Sequence, residues 1–150
     1  MIRKATTEDI PHLIGLLEQL FAIEEDFTAD ADHQRRGLML LLNSESAGIF
    51  VAESNRRVVG MVIGQLLVST AEGALSLLVE DLVVDRGYRA RGYGSKLLES
   101  LRQWAREKGA DRMQLLADQH NGSALDYYER QGWQRTRMIC LRSYVSGGKA

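Results

Sequence analysis

"VVDRGYRARGYGSKLLESL", residues 83–101, joins the end of an apolar run to the start of an amphipathic one through a segment of glycines and arginines. Gly92 and Gly94 stand where a strand pattern stops and a helical pattern begins. The first turn of a helix has backbone N–H groups without an intrahelical partner, and its dipole favours negative charge. A glycine-rich helix start surrounded by arginines is therefore typical of a site that binds a phosphate or pyrophosphate.

Two widely used phosphate loops do not match this segment. A Walker A loop that starts at Gly87 reaches its second glycine at Gly92 but then needs a lysine, where the chain has Tyr93. A dinucleotide fingerprint that starts at Gly92 has Leu97 in the place of its third glycine. The alternative to a phosphate site is that the glycines form a tight turn and the arginines are solvated.

Length and composition limit the class of protein. The chain has 150 residues, 45% of them hydrophobic, which favours one domain over residues 1–143 and a polar tail over 144–150. Lysine and arginine together number 19 against 20 for aspartate and glutamate, so no overall basic field favours nucleic acid. The single cysteine, Cys140, excludes an internal disulfide framework, and the three histidines lack the paired spacing of a metal site.

The N-terminal residues lack the apolar core of a signal peptide. No apolar run approaches the roughly 20 residues that cross a bilayer. We therefore expect a cytoplasmic protein that binds no membrane, no nucleic acid and no metal.

The order of strand and helix patterns predicts a mixed α/β domain. Strands are predicted at 1–5, 48–54, 57–70, 72–84, 112–117 and 133–143, and helices at 8–22, 35–43, 94–109 and 123–132. Thr7 is the predicted N-cap of the first helix, and Asn55 and Arg56 are the predicted turn between two strands. The helix at 94–109 has a single apolar face, formed by Leu97, Leu98, Leu101, Trp104 and Ala105.

Two motifs in this order resemble the GNAT superfamily of N-acetyltransferases. The segment Arg89-Ala90-Arg91-Gly92-Tyr93-Gly94 matches that superfamily's R/Q-x-x-G-x-G/A signature. The segment "NGSALDYYERQGW", residues 121–133, is similar to its N-x-x-A-x-x-F-Y-x-x-x-G-F motif. The resemblance covers roughly residues 1–143 and implies the GNAT fold, a single domain whose mixed central β-sheet is flanked by helices.

The resemblance also implies a binding site for acetyl-CoA. The backbone of Leu82, Val83 and Val84 would pair with the pantetheine arm as an added strand does. Asn121 would contact the cosubstrate from a following loop. The chain departs from the family at Arg86, where many relatives have proline. The pyrophosphate would be held by the backbone N–H groups of Arg89, Ala90, Arg91, Gly92, Tyr93, Gly94 and Ser95.

Acetyl transfer to an amine needs a base, an oxyanion donor and an acid. Tyr128 is the predicted acid, because its counterpart in the superfamily points at the thioester sulfur; the alternative is that Tyr128 packs in the core. A backbone N–H near Val83 is the oxyanion donor that the resemblance implies. Glu80 is the predicted base, and its alternative role is to orient a cationic substrate or to form a salt bridge.

Strand alternation separates Glu80 from its acidic neighbour. It places Glu80, Leu82 and Val84 on one face, and Asp81 and Val83 on the other. The two acids are therefore not expected to share one task. Some relatives that acetylate polyamines and amino sugars carry a similar Glu-Asp pair.

The acceptor is expected to be the primary amine of a small molecule. An acidic cluster in the segment that overhangs the acceptor site in this fold would attract a protonated amine, unless it is a solvated loop: Glu24, Glu25, Asp26, Asp30 and Asp32. Gln65 and Ser69 offer polar groups on the same side.

Other functions remain open at this point. They are acetylation of a protein N-terminus or lysine, a non-catalytic domain that senses acetyl-CoA, and a nucleotide or nucleic-acid binder. Many members of the superfamily are dimers, so the resemblance also implies a homodimer in which the last strand provides the contact.

Overall fold

Five strands form one sheet, and their spatial order follows their order along the chain. The structure is a computed structural model and describes residues 1–24 and 27–147. The strands are β1 (Ile2–Lys4), β2 (Ala47–Ser54), β3 (Arg57–Ser69), β4 (Ala74–Val84) and β5 (Ala110–Leu115). The helices are α1 (Ile10–Ile23), α2 (Ala31–Leu42), α3 (Tyr93–Glu107) and α4 (Gly122–Arg130). Pairing is antiparallel from β1 to β4 and parallel between β4 and β5, which confirms the predicted mixed α/β class.

The chain forms two compact units, Met1–Leu115 and Leu116–Ala150. The first unit contains the whole sheet with α1, α2 and α3, and the second contains α4.

In the first unit, the sheet lies between two layers of helices, and β3 is its central strand. Met61 and Ile63 point to one face and pack with Leu13 of α1 and Leu38 of α2. Gly60 and Gly64 point to the opposite face, where α3 lies, because successive residues of a strand alternate between faces. A Cβ on Gly64 would lie 2.8 Å from a Cδ atom of Leu101 in α3. The glycine therefore permits the close approach of α3 to the sheet.

Helix α3 packs on the sheet through the face that the sequence predicts. Its buried residues are Leu97, Leu98, Leu101, Trp104 and Ala105. The helix ends before Gly109, which has a φ of +90°, a conformation that glycine adopts without steric cost. The predicted face is confirmed, but the helix ends at Glu107 with Lys108 as its C-cap, two residues before the predicted end at residue 109.

The start of α1 differs from the prediction. A 3₁₀ turn, Thr7–Asp9, precedes the α-helix, and the residue that caps this turn is Thr6 instead of Thr7. The Asp9 carboxylate accepts a hydrogen bond from the Thr6 N–H at 2.8 Å and pairs with Arg3 at 2.8 Å. The Arg3 guanidinium lowers the pKa of Asp9, although burial opposes this. This contact with β1 fixes the end of the turn, which local sequence patterns do not reveal.

Helix α2 begins at Ala31, earlier than the predicted residue 35. Asp30 is its N-cap, and the Asp30 carboxylate accepts hydrogen bonds from the N–H groups of Asp32 and His33. The prediction placed these aspartates in a loop because the segment is polar. Capping by Asp30 instead extends the helix to include Asp32.

The second unit lacks the strand predicted at 133–143. No strand is present among its described residues, 116–147. Local contacts of the polar side chains replace strand pairing: Arg135 bonds to Glu129 at 2.8 Å, and the Thr136 hydroxyl accepts a bond from the Met138 N–H at 3.2 Å. The apolar run of residues 138–141 is thus not paired into a strand. Of the predicted tail, residues 148–150 lie outside the described part.

Candidate functional site

Strand β4 contains a bulge at the two residues Asp81 and Leu82. Glu80 stands opposite Ile63 of β3, and Val83 stands opposite Met61, so two residues of β4 face the single residue Val62. Asp81 has a φ of +53°, in the left-handed region that a non-glycine residue rarely adopts. Bulges bend a strand and redirect its side chains, and they are frequent beside active sites.

The bulge overturns the predicted alternation along β4. Directly opposed residues of an antiparallel pair project from the same face. Glu80 and Val83 therefore share a face, because their partners Ile63 and Met61 are two residues apart on β3. The prediction that Glu80 and Val84 share a face is wrong, since the extra residue reverses the phase. The bulge therefore removes the reason for excluding Asp81 from the proton transfer that was predicted for Glu80.

Strand β4 extends beyond its pairing with β5. The parallel ladder ends where Val79 stands opposite Leu115, whereas β4 runs on to Val84. The predicted pantetheine-binding residues Leu82 and Val83 lie in this last part of β4. A strand that continues past its neighbour offers backbone groups to an extended ligand.

Polar contacts anchor the loop that follows β4. The Asp85 carboxylate accepts a hydrogen bond from the Gly87 N–H at 3.1 Å, and this bond is the main reason that the pKa of Asp85 lies below its usual value. The Arg89 Nε donates to the Val84 carbonyl at 3.0 Å. The Arg86 N–H donates to the Gln19 side chain at 3.2 Å. The loop is thus held both to β4 and to α1.

The loop ends at Gly92, the N-cap of α3. Its φ is +86°, and a Cβ added there would meet no atom within 4 Å among the described residues. The first helical hydrogen bond runs from the Lys96 N–H to the Gly92 carbonyl at 3.1 Å. The N–H groups of Tyr93 and Gly94 precede that bond, in the first turn, where backbone donors lack a carbonyl acceptor one helical turn earlier. Together with Ala90, whose φ is +61°, this makes a concave run of backbone donors in front of open space.

Aromatic and basic side chains surround this helix start. The Arg91 guanidinium lies 5.2 Å from the centre of the Tyr88 ring, and the Lys96 ammonium lies 5.9 Å from that of Tyr93. The two tyrosine rings pack edge to face at 6.4 Å. Cation–π contacts of this kind hold positive charge near a surface without neutralising it. The site therefore combines backbone donors with positive side chains, as an anion site requires.

Carboxylates lie at the bulge of β4. Glu80 is exposed and accepts a hydrogen bond from the Gln65 side chain at 3.0 Å. Burial, together with the negative charges of Glu80 and Glu24, raises the pKa of its neighbour Asp81 to about 7. Asp81 was not among the predicted site residues. The adjacent acids in an apolar strand were the available signal, but the assumed alternation excluded Asp81 from the role predicted for Glu80.

The predicted acidic cluster is distributed over different structural roles. Glu24 ends α1 and acts electrostatically on Asp81. Asp30 caps α2, and Asp32 lies in its first turn. The other two members, Glu25 and Asp26, lie outside the described residues.

The second unit holds the remaining predicted site residues, one at each end of α4. The Asn121 side chain caps the helix by accepting a hydrogen bond from the Ala124 N–H at 3.1 Å, so Asn121 and not Ser123 opens it. Tyr128 is half-buried, and its ring packs edge to face against Tyr127 at 5.4 Å and Trp133 at 5.8 Å. These contacts fix the orientation of the Tyr128 ring within this unit.

Comparison with known proteins gives consistent results. Residues 17–133 match the sequence model of the acetyltransferase (GNAT) family. An uncharacterized N-acetyltransferase of Methanocaldococcus jannaschii is 23% identical over 92% of the chain, which spans only 62% of that relative's length.

None of the helices in the described ranges has the length and apolar character that crossing a bilayer requires.

Two solved structures resemble the fold closely. An aminoglycoside acetyltransferase from an uncultured soil metagenomic sample, in complex with sisomicin, has a TM-score of 0.76 at 26% identity and covers 97% of this chain and 95% of its own. The aminoglycoside N-acetyltransferase AAC(6')-Iy, in complex with CoA, has a TM-score of 0.83 at 18% identity and covers 97% and 94%.

Proposed function

The chain belongs to the GNAT family of acetyltransferases, and from that premise we propose that it moves an acetyl group from acetyl-CoA to a primary amine of a small molecule. The proposal rests on two features that occur together. Backbone N–H donors lie at the start of α3, and β4 continues beyond its last pair with β5. The first feature suits a pyrophosphate and the second an extended amide-containing arm. Both belong to the first unit.

The residues around Gly92 fit the phosphates of acetyl-CoA. The open space in front of Gly92 leaves room for a pyrophosphate to approach the backbone. The N–H groups of residues 89–95 would donate to it, with Arg91 and Lys96 adding positive charge. Leu82, Val83 and Val84 would pair with the pantetheine arm, and Asn121 would contribute its side-chain amide group.

The reaction joins the amine nitrogen to the acetyl carbon and breaks the bond from that carbon to sulfur. An amine with a pKa of about 10 must lose a proton before it attacks, and the Glu80 carboxylate would attract the protonated amine or deprotonate it. The Val83 N–H would stabilise the oxyanion. Tyr128 would give a proton to the departing thiolate, and the packing of its ring favours one fixed orientation of the hydroxyl.

A cationic acceptor agrees with the charge at the bulge. Glu80, Asp81 and Glu24 create a negative field beside β4, which favours a protonated amine. The related solved structure that is bound to sisomicin, a molecule with several amines, supports this class of acceptor.

Release of free CoA in the presence of amines tests the proposal. The protein is mixed with acetyl-CoA and, in separate reactions, sisomicin, spermidine and a peptide with a free N-terminus, and the new thiol is measured. We expect thiol release with a small polyamine or amino sugar and none without an amine. Release with the peptide alone would favour a protein acceptor, and acetyl-CoA binding without any release would favour a sensing function.

A further inference from the structure

The two adjacent acids of β4 differ in environment. Glu80 is exposed, and the Gln65 side chain donates a hydrogen bond to its carboxylate at 3.0 Å. Asp81 is half-buried and is one of the two residues that the bulge inserts opposite Val62. A solvated, hydrogen-bonded carboxylate is suited to attract a cation, whereas a desolvated one is suited to take a proton.

The backbone holds Asp81 in an unusual conformation. Its φ of +53° lies in the left-handed region, which aspartate tolerates better than most residues but which still costs energy. Strained residues of this kind persist where the surrounding structure determines them, and they are concentrated at active sites. The last β4–β5 pair is at Val79, and the bulge lies just beyond it, in the part of β4 that continues without β5.

We propose that Asp81 is the general base that deprotonates the acceptor ammonium, and that Glu80 orients that ammonium. This inference rests on the proposed acetyl transfer. It assigns to the bulge residue the proton transfer that was predicted for Glu80.

The charges around Asp81 support the assignment. The charges that act on Asp81 come from Glu80 on its own strand and from Glu24 at the end of α1, both of them negative. Burial and these two charges raise the pKa of Asp81 to about 7. A base whose pKa lies near the working pH is partly ionised and still strong enough to accept a proton.

The proton balance of the step is complete. The ammonium gives one proton to the Asp81 carboxylate, which passes it to water. The neutral nitrogen then forms its bond to the acetyl carbon. As the bond from carbon to sulfur breaks, the nitrogen loses its second proton to solvent, and the thiolate takes one from Tyr128, which solvent restores. One proton is released for each acetyl group transferred.

The test compares Asp81→Asn with Glu80→Gln, each of which keeps the size of the side chain. For Asp81→Asn we expect kcat/KM, measured by thiol release with the best amine of the panel, to fall at least 100-fold. The fall in kcat/KM below about pH 7, which we expect for the wild type, should be absent from the pH profile of this variant, while its affinity for acetyl-CoA changes less than twofold. For Glu80→Gln we expect a higher KM for the amine and a pH profile that still falls on the acid side. Unchanged turnover in Asp81→Asn, or loss of that fall in Glu80→Gln, would overturn the inference.

A second measurement does not depend on turnover. Carbon-13 NMR of the aspartate carboxyl groups should show one signal that titrates near pH 7 and is missing in Asp81→Asn. A titration of Asp81 near pH 4 would overturn the inference even in an active enzyme. A wild-type protein that transfers no acetyl group would contradict the proposed function itself, whereas an active wild type with an unaffected Asp81→Asn variant would contradict the inference alone.

Discussion

Replacement of Asp81 by asparagine should change how the stability of the fold depends on pH. Burial and the charges of Glu80 and Glu24 raise the pKa of Asp81 from 3.8 to about 7 in the folded state. Between these two values the folded chain keeps a proton that the unfolded chain loses. Stability is therefore highest at acid pH and is lost as the pH rises through 7.

The size of the effect follows from these pKa values. Between pH 5 and pH 8 the folded carboxylate loses its proton while the unfolded one is already ionised, which amounts to about 2 to 3 kcal/mol of unfolding free energy. Asparagine has no such proton and fits the same backbone conformation. The variant should therefore gain about 2 to 3 kcal/mol over the wild type between pH 5 and pH 8.

Urea unfolding of both proteins at the two pH values measures this difference. Asp111→Asn is the matched control, because Asp111 is an exposed carboxylate on β5, and its effect should stay within about 0.5 kcal/mol. If Asp81→Asn and wild type keep the same difference in stability at both pH values, Asp81 is not desolvated in the way described here.

Other predictions concern the helix start, the acid and the packing of α3. Gly92→Ala and Gly109→Ala place alanine at φ values of +86° and +90° at the two ends of α3, so each should cost about 1–2 kcal/mol of stability. Only Gly92→Ala should weaken acetyl-CoA binding, by at least tenfold as measured by calorimetry. Tyr128→Phe should lower kcat about 10- to 100-fold with unchanged acetyl-CoA affinity, and equal turnover would remove Tyr128 from the mechanism. Gly64→Ala should cost about 1–3 kcal/mol in thermal unfolding, because its Cβ would lie 2.8 Å from Leu101, whereas Gly15→Ala, with open space at its Cβ, should not destabilise α1.

Local sequence patterns were sufficient for the elements that bury a continuous apolar face. The spacing of leucines in 94–109 predicts the buried face of α3 correctly, because the helical period alone decides which residues meet the sheet. The turn at Asn55 and Arg56 is confirmed as well. Both residues have positive φ, as a two-residue hairpin between twisted strands requires.

Features that depend on a partner strand or on a distant contact were not predictable in the same way. The β4 bulge arises from its register against β3, so strand periodicity gave the wrong face for Val84. The 3₁₀ turn before α1 depends on an ion pair between Asp9 and Arg3. The segment 133–143 contains the apolar run of residues 138–141 but makes local side-chain bonds, and no strand forms. Strand register and side-chain bonding, which residue periodicity does not encode, decide each of these features.

We propose that the start of α3 binds acetyl-CoA through its backbone donors. Calorimetric titration of wild type, Gly92→Ala and Gly109→Ala with acetyl-CoA tests this binding, with dephospho-CoA and ATP as comparison ligands. We predict micromolar binding of acetyl-CoA to wild type and to Gly109→Ala, and binding at least tenfold weaker to Gly92→Ala. Equal affinity of the two folded glycine variants, or no binding to a folded wild type, would contradict the account.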